Sequence, residues 1–596
     1  MKKLDKLFFG NVWNFFTSKN KTTPYIIFIL LIGLVLRFLA ASHLAPSADE
    51  AVYGTHAINF INSGAVSNQN QSPVWFFLAD LFYKIFGISL VTARFTSVIF
   101  SLFTIFLVYL ISKELFDEKL ALIAAFLFSI SAYSSRYMVM EMDPTFTFFF
   151  FLSAYLFIRD LFHKDRISLL SAVFLGIAIL SKAISLMLAP SFILIYLMYF
   201  IKNKEKRKIL SGKENIKKAI MSIVIVLMLL TPILTYNYLL YKEKGLTDVM
   251  FARFFGTSKE FYAPISNTIQ PFSFSVFFEN IASPMKTILN FDLVLVVLSI
   301  IGVIIAIIKN RFQLLILLSL LIPVYVLITG TSLLGNHFVV FLPIVIIFSS
   351  IPIYYLHRKL NKKNIIFLIL MVILLFNLYI LKETITSRSA IGALREFTIE
   401  NIDETSLVIA DARIYRGRIA WMFNDKHYVE ASLLNDVYKP LQHIQSVEVP
   451  IKTYFIECVK DDCGWGTIKD QPEFNQSMEN LVSQFDKISD KKTDIVGGGG
   501  YDEIPNEIYF RIYEATIQSK LQILQEVDKT HHFFFYPVRW TPREAIYDAY
   551  TPKGLFNKTL NILAHLVLYL SVLIAISALP YTLYLIYKNL KKEHVM

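Results

Sequence analysis

The feature that most constrains this chain is a succession of apolar runs, each about as long as a bilayer crossing. They lie at residues 24–43, 89–112, 119–136, 144–162, 167–182, 184–202, 218–240, 291–308, 312–329, 337–356, 364–381 and 557–587. Together they predict an α-helical polytopic membrane protein of about twelve transmembrane helices. Of the 596 residues, 55 % are hydrophobic and only 17 % charged; a water-soluble chain of this size would carry more charge. The formal net charge of +12 raises the question of nucleic acid. The basic residues lie in short clusters between apolar runs, however, which fits the positive-inside rule and anionic lipid head groups. Membrane lipids, and no nucleic acid, are the expected partners.

Ser72 to Phe86 is apolar but short, and reads as an interfacial helix within one long outer loop from Leu44 to about Ser89. With that choice the basic clusters near residues 113–119, 159–166, 202–218, 309–311, 357–363 and 588–592 all share the side of the N-terminus. Both termini are then cytoplasmic, in the plasma membrane. The first 23 residues, aromatic and without a cleavage site before the apolar run, read as a retained interfacial segment. The expected organisation is a membrane module over 1–381 with its outer loop at 44–88, an extracytoplasmic α/β domain over 382–556, and a final helix and tail over 557–596. The outer domain mixes β-rich runs (Ser406–Ala410, Thr453–Val459, Glu507–Ala515) with helical ones (Ile391–Asn401, Met478–Ile488). Gly497–Gly500 reads as a turn, since no helix with Lys-Ser/Thr follows it as in a phosphate loop. Cys458 and Cys463 are either a local bridge or two free thiols; no second ligand pair supports zinc.

Ser47-Ala-Asp-Glu50 has the spacing of a capping box, with Ser47 as N-cap and Glu50 reaching back. On the helix that follows, Asp49, Tyr53 and His56 fall near one face. Two readings stand: a capped helix whose acids serve the cap, or an acidic site at the membrane surface. The topology gathers further polar residues at the outer face. They are Arg94 just inside the second span, Glu141 and Asp143 before the fourth, Lys182, Arg253 and Lys259, Tyr262 in the aromatic loop, and His337. Asp143-Pro144 also suits a helix start, and Lys182 a snorkelling cation. Arg94, a cation within a span, is a functional candidate by default. Carboxylates facing cations suit a transfer reaction: an acid takes the proton of an attacking hydroxyl, while Arg or Lys stabilises a departing phosphate.

The order of these features resembles the C-type, membrane-embedded glycosyltransferases, nearest the protein O-mannosyltransferases and the lipid A aminoarabinose transferases. The Asp-Glu pair in ADEAVYGTHA is followed by a Pro-led apolar helix, SPVWFFLADLFYKIFG, and a span opening with TARF. MEMDPTFTFFFFLSAYLF, LSKAISLMLAP, FARFFG and NHFVVFLP are similar to later family segments, so the likeness runs from about Pro24 to Leu381. The resemblance implies a polyprenyl- or dolichyl-phosphate sugar donor and an extracytoplasmic acceptor. Asp49 would be the catalytic base supported by Glu50; Arg94, Arg253 and Lys182 would hold the lipid phosphate, and Asp143 would shape the acceptor side. His56, Tyr53, Tyr262 and His337 are additional candidates. Departures from the family pattern are Gln71-Ser72-Pro73 in place of a basic residue before the proline, Ala183 after Lys182, and His337-Phe338 in place of Arg-Tyr. No cofactor is implied, although Asp49, Glu50, Asp143 and His56 form an acid–imidazole set suited to a divalent ion. A transporter or flippase of lipid-linked sugars and a non-catalytic assembly protein are the rival readings.

Overall fold

A computed structural model of the chain describes residues 22–58, 60–68, 72–248, 250–251, 272–331, 335–360, 363–414, 416–459, 463, 481, 492–498, 507–529, 532–533, 541–542 and 550–592. Arg253, Lys259, Tyr262, Gln71, the first 21 residues and the Met478–Ile488 run lie outside these, apart from Leu481.

Helices form where the apolar runs predict them, and the chain is a polytopic helical protein with a small sheet domain. Among the described residues eight helices are long and apolar enough to cross a membrane, or nine if Lys213–Leu229 and Thr231–Lys244, bent by 49°, make one span. The twelve expected are not reached, for identifiable reasons. The 119–136 run divides at Ser131, the C-cap of Glu118–Ile130 and the N-cap of Ala132–Tyr137. The 167–182 run yields the 13-residue helix Leu169–Ser181, about 20 Å long against a hydrocarbon core of about 30 Å. The 337–356 run begins as a tight turn, Gly335–Val340, before the helix Leu342–Leu360. The predicted interfacial helix is present as Pro73–Phe86.

Helix Asp143–Lys164 is the centre of the bundle, with 89 % of its apolar window buried, whereas Asn364–Thr386 at 22 % lies on the rim. Close helix approach depends on glycine at one position in particular. A Cβ at Gly302 of helix Ser283–Lys309 would lie 1.9 Å from the Phe348 carbonyl oxygen of Leu342–Leu360.

The outer domain is built on a five-stranded sheet ordered β2-β1-β3-β5-β4. Its strands are β1 (Leu407–Ala410), β2 (His427–Glu430), β3 (Glu448–Cys458), β4 (Lys492–Gly498) and β5 (Glu507–Lys520). β1 runs parallel to β2 and β3, and β5 pairs antiparallel with β3 and β4. The turn expected at Gly497 is instead the end of β4, where a Cβ would meet the Arg388 carbonyl oxygen at 2.3 Å. Cys458 at the end of β3 is disulfide-bonded to Cys463, and both are buried.

One buried acid ties the bundle to the loop that carries the second acidic pair. Asp292 sits at a non-helical residue (φ −127°, ψ 48°) inside Ser283–Lys309. Its carboxylate accepts from the backbone N–H of Ala132 (3.0 Å) and Tyr133 (3.2 Å) and from the Ser131 hydroxyl. The two N–H groups are first-turn donors of helix Ala132–Tyr137, which have no partner within their own helix. Asp292→Leu is expected to orphan them at about 1–3 kcal/mol per buried donor and lower the thermal unfolding midpoint in detergent. Asp292→Asn keeps one acceptor oxygen and is expected to lose less; two unchanged midpoints would refute this role.

Candidate active site

The first outer loop enters the site through its cap. Ser47 Oγ accepts from the Glu50 N–H at 2.8 Å, and the Ser47 N–H donates to Glu50 Oε2 at 3.3 Å. The capping box therefore forms as expected and starts helix Ala48–Ala57. Ser47 and Glu50 complete it without Asp49.

Glu50 has a second task. Arg94 Nε donates to Glu50 Oε1 at 2.6 Å and Nη2 to Oε2 at 2.8 Å, a two-pronged pair with both side chains buried. The remaining nitrogen, Nη1, donates to the carbonyls of Ala41 (2.9 Å) and Leu44 (2.6 Å) at the end of the first span. Arg94 thus faces inward and is occupied by protein groups, not open to a phosphate as the resemblance implies.

A second cluster draws on three distant segments. Lys182 Nζ lies 2.6 Å from Asp143 Oδ1 and 2.6 Å from His337 Nδ1, and His337 Nδ1 lies 3.2 Å from Asp143 Oδ1. Asp143 opens helix Asp143–Lys164, but its side chain makes no cap; it meets the Lys182 ammonium and the His337 ring instead. Lys182, the C-cap of helix Leu169–Ser181, keeps some exposure and lies 5.4 Å from the Phe146 ring centroid.

Asp49 stands between these clusters. It is partly buried, and its carboxylate has no hydrogen-bond or ion-pair partner among the described residues. Burial pushes its pKa up; the charges of His337 and Lys182 oppose that rise and Asp143 adds to it. Glu141 is the fourth acid. Its backbone is left-handed (φ 52°), its side chain is buried, and it accepts from Ser47 Oγ at 2.8 Å. Burial first, then the neighbouring Asp49 and Asp143, hold its carboxyl well above the usual range.

Of the residues expected at the site, the structure brings together Asp49, Glu50, Asp143, Lys182, His337 and Arg94. Tyr53 and His56 lie farther along the helix, each with its ring 6.5 Å from that of Phe76. Among the described residues no three His, Cys, Asp or Glu side chains are placed to hold a metal ion; Asp49, Glu50, Asp143 and His56 do not converge as such a set requires. Sequence reasoning missed the outer domain's part. Trp421, in helix Arg416–Met422, packs on Ala48–Ala57 so closely that a Cβ at Gly54 would meet its ring at 3.0 Å and the Tyr83 hydroxyl at 3.0 Å. Arg418 donates over 3.4 Å to the Pro46 carbonyl, just before the cap. No local signal links positions so far apart.

Residues 70–236 match the family model for dolichyl-phosphate-mannose-protein mannosyltransferases. An uncharacterized protein of Aquifex aeolicus (strain VF5) is 26 % identical over 271 residues, which are 42 % of this chain and 52 % of that protein. The chain therefore spans about half the length of the curated relative it matches. Among solved structures, ArnT from Cupriavidus metallidurans bound to undecaprenyl phosphate superposes with a TM-score of 0.52 at 11 % identity, covering 82 % of this chain and 98 % of that one. The same protein in the apo state gives 0.50 at 13 % identity, covering 83 % and 98 %. The chain thus shares the fold of ArnT over most of its length, and residues 70–236 are similar to the protein mannosyltransferases.

Proposed function

We propose that the protein transfers a single sugar from a polyprenyl or dolichyl monophosphate to a hydroxyl of an extracytoplasmic acceptor, with inversion at the anomeric carbon. The observation that carries this reading is the division of labour among the acids. Glu50 is bound to Arg94 and Asp143 to Lys182 and His337, which leaves Asp49 as the carboxylate open to a substrate. In the reaction the acceptor oxygen bonds to the anomeric carbon as the bond to the phosphate oxygen breaks. Asp49 takes the acceptor's proton, and the lipid phosphate leaves with the bonding pair. Lys182 and His337 lie where they would offset its growing charge. Arg94 acts on this reading as a strut for Glu50 rather than as a donor contact.

The undecaprenyl phosphate bound to ArnT supports a lipid-phosphate donor, as does the mannosyltransferase family model. The sugar and the acceptor's nature as protein, lipid or glycan are separate questions for assay. A flippase would need no proton acceptor, and an assembly protein would tolerate loss of Asp49.

Asp49→Asn is expected to keep expression and fold, because Ser47 and Glu50 make the cap, and to lower turnover by ~10²-fold or more. The base acts only when ionised, and its pKa is raised. The acidic limb of the wild-type rate profile should therefore lie at a pH above that of an ordinary carboxylate, about 4. Undiminished turnover in Asp49→Asn would return the helix to a purely structural role.

The purified protein is expected to use a polyprenyl-phosphate sugar, to ignore nucleotide sugars, and to keep its activity with chelator. Turnover of a nucleotide sugar alone would sink the reading, and loss with chelator would call for a metal that Asp49 and its neighbours share with the substrate.

Sidedness can be tested at Val447, which is 84 % exposed in the outer domain. The native cysteines are bridged, so Val447→Cys supplies the single free thiol. An impermeant thiol reagent should label it in intact cells, and protection until lysis would contradict an extracytoplasmic site.

A further inference from the structure

The bundle carries a second charged feature, at the opposite end from Asp49. Leu342–Leu360 starts just after His337, and its last turn at Arg358 and Lys359 lies about 24 Å farther along the axis. It packs beside Ser283–Lys309, touching at Gly302 and Phe348. One turn beyond that contact a groove of about 590 Å³ opens, lined by Ile305, Lys309, Pro352, Tyr355, Arg358 and Lys359 among others.

Its chemistry is one-sided. Three of the lining side chains are cations and none is an acid. Lys309 Nζ sits 4.5 Å from the Tyr355 ring centroid, and that ring's hydroxyl accepts from Asn310 Nδ2 at 3.0 Å. Among the described residues Arg358 Nη1 donates over 3.5 Å to the Tyr354 hydroxyl, which itself donates to Asp117 at the groove's margin. Among the described residues no carboxylate pairs with Lys309, Arg358 or Lys359. The groove is walled by Ile305 and Pro352, and the outward side of the same helix shows Ile304 and Ile308 exposed, 53 % and 69 %. Apolar surface in a membrane helix meets acyl chains, so the groove joins a lipid-facing wall to a cationic rim.

The two helices end here, and each C-terminus contributes about half a negative charge. Three cations against that leave roughly +2, too much for helix-end compensation alone. We propose that this groove binds an anionic phospholipid with a two-phosphate head group, a diphosphatidylglycerol. Its phosphates lie against Lys309, Arg358 and Lys359, and its chains along the Ile304–Ile308 side. The site is separate from the one that would hold a sugar donor, and it does not depend on the reaction proposed above.

The test is native mass spectrometry of the full-length protein in detergent, incubated with diphosphatidylglycerol or with phosphatidylcholine. The triple variant Lys309→Ala, Arg358→Ala, Lys359→Ala should hold diphosphatidylglycerol on the order of a hundredfold more weakly, at about one tenfold step or a little less per cation. A control triple at exposed cations outside the groove, Lys204→Ala, Lys208→Ala, Lys213→Ala, should bind as the wild type does. A charge-preserving set, Lys309→Arg, Arg358→Lys, Lys359→Arg, should retain the lipid and guards against a folding defect. Equal loss in both alanine triples would reduce the groove to general surface charge. Wild-type retention in the groove triple, or equal retention of phosphatidylcholine, would overturn the proposal.

Discussion

The Arg94–Glu50 pair is the contact on which the site's geometry depends. It joins three pieces of chain: the second span through Arg94, the end of the first span through the Ala41 and Leu44 carbonyls, and the first outer helix through Glu50. Two buried ions pay a large desolvation cost that only near-complete hydrogen bonding offsets, and removing one partner leaves the other stranded. Here both carboxylate oxygens and all three guanidinium nitrogens are engaged. Glu50 also closes the capping box, so the helix that carries Asp49 is fixed at its first turn by the same side chain. Asp49 is the residue just before Glu50, and among the described residues its carboxylate makes no hydrogen bond or ion pair.

The second outer loop is anchored in a comparable way. Asp292 caps Ala132–Tyr137 from within the bundle, and Ser47 reaches across to Glu141. Glu141 is forced into a left-handed backbone that a residue with a side chain adopts at some cost. That turn sets Asp143 at the head of its helix, facing Lys182 and His337. From the other side, Trp421 and Arg418 of the outer domain close on Gly54 and Pro46. The first outer helix is therefore bounded by the membrane bundle below and the sheet domain above.

Much of this was legible in sequence, and what was not has a physical reason. The capping box spans four residues, Ser47 to Glu50, so its hydrogen bonds follow from local spacing alone. Helix positions followed from apolar period and length; the count did not, because Ser131 and the 335–340 turn interrupt runs whose composition stays apolar. Arg94 stood out as a charge in a span, yet its partner lies 44 positions away, and nothing local distinguishes a cation that binds phosphate from one that braces a loop. Asp143 before Pro144 carried the mark of a helix start. Its partners, 39 and 194 positions away, exist only once the bundle is packed. Trp421 carried no sign at all of its contact with Gly54.

The arrangement also suggests why the open acid should lie beside Lys182 and His337. In the proposed reaction a carboxylate, a neutral hydroxyl and a singly charged sugar phosphodiester become a carboxylic acid, a neutral glycoside and a doubly charged phosphate monoester. The total charge does not change; one negative charge moves from Asp49 to the departing phosphate. Lys182 and His337 lie close enough to Asp49 to oppose the rise in its pKa, so the charge would move within their reach throughout. Little reorganisation of the surroundings is then needed, which is the condition under which fixed charges favour a transition state most. An arriving anionic donor would further raise the pKa of Asp49, since like charges disfavour ionisation. The base would become stronger when its substrate is in place. Burial and acidic neighbours push the Glu141 carboxyl well above the usual range, which disfavours a competing charge in that exchange.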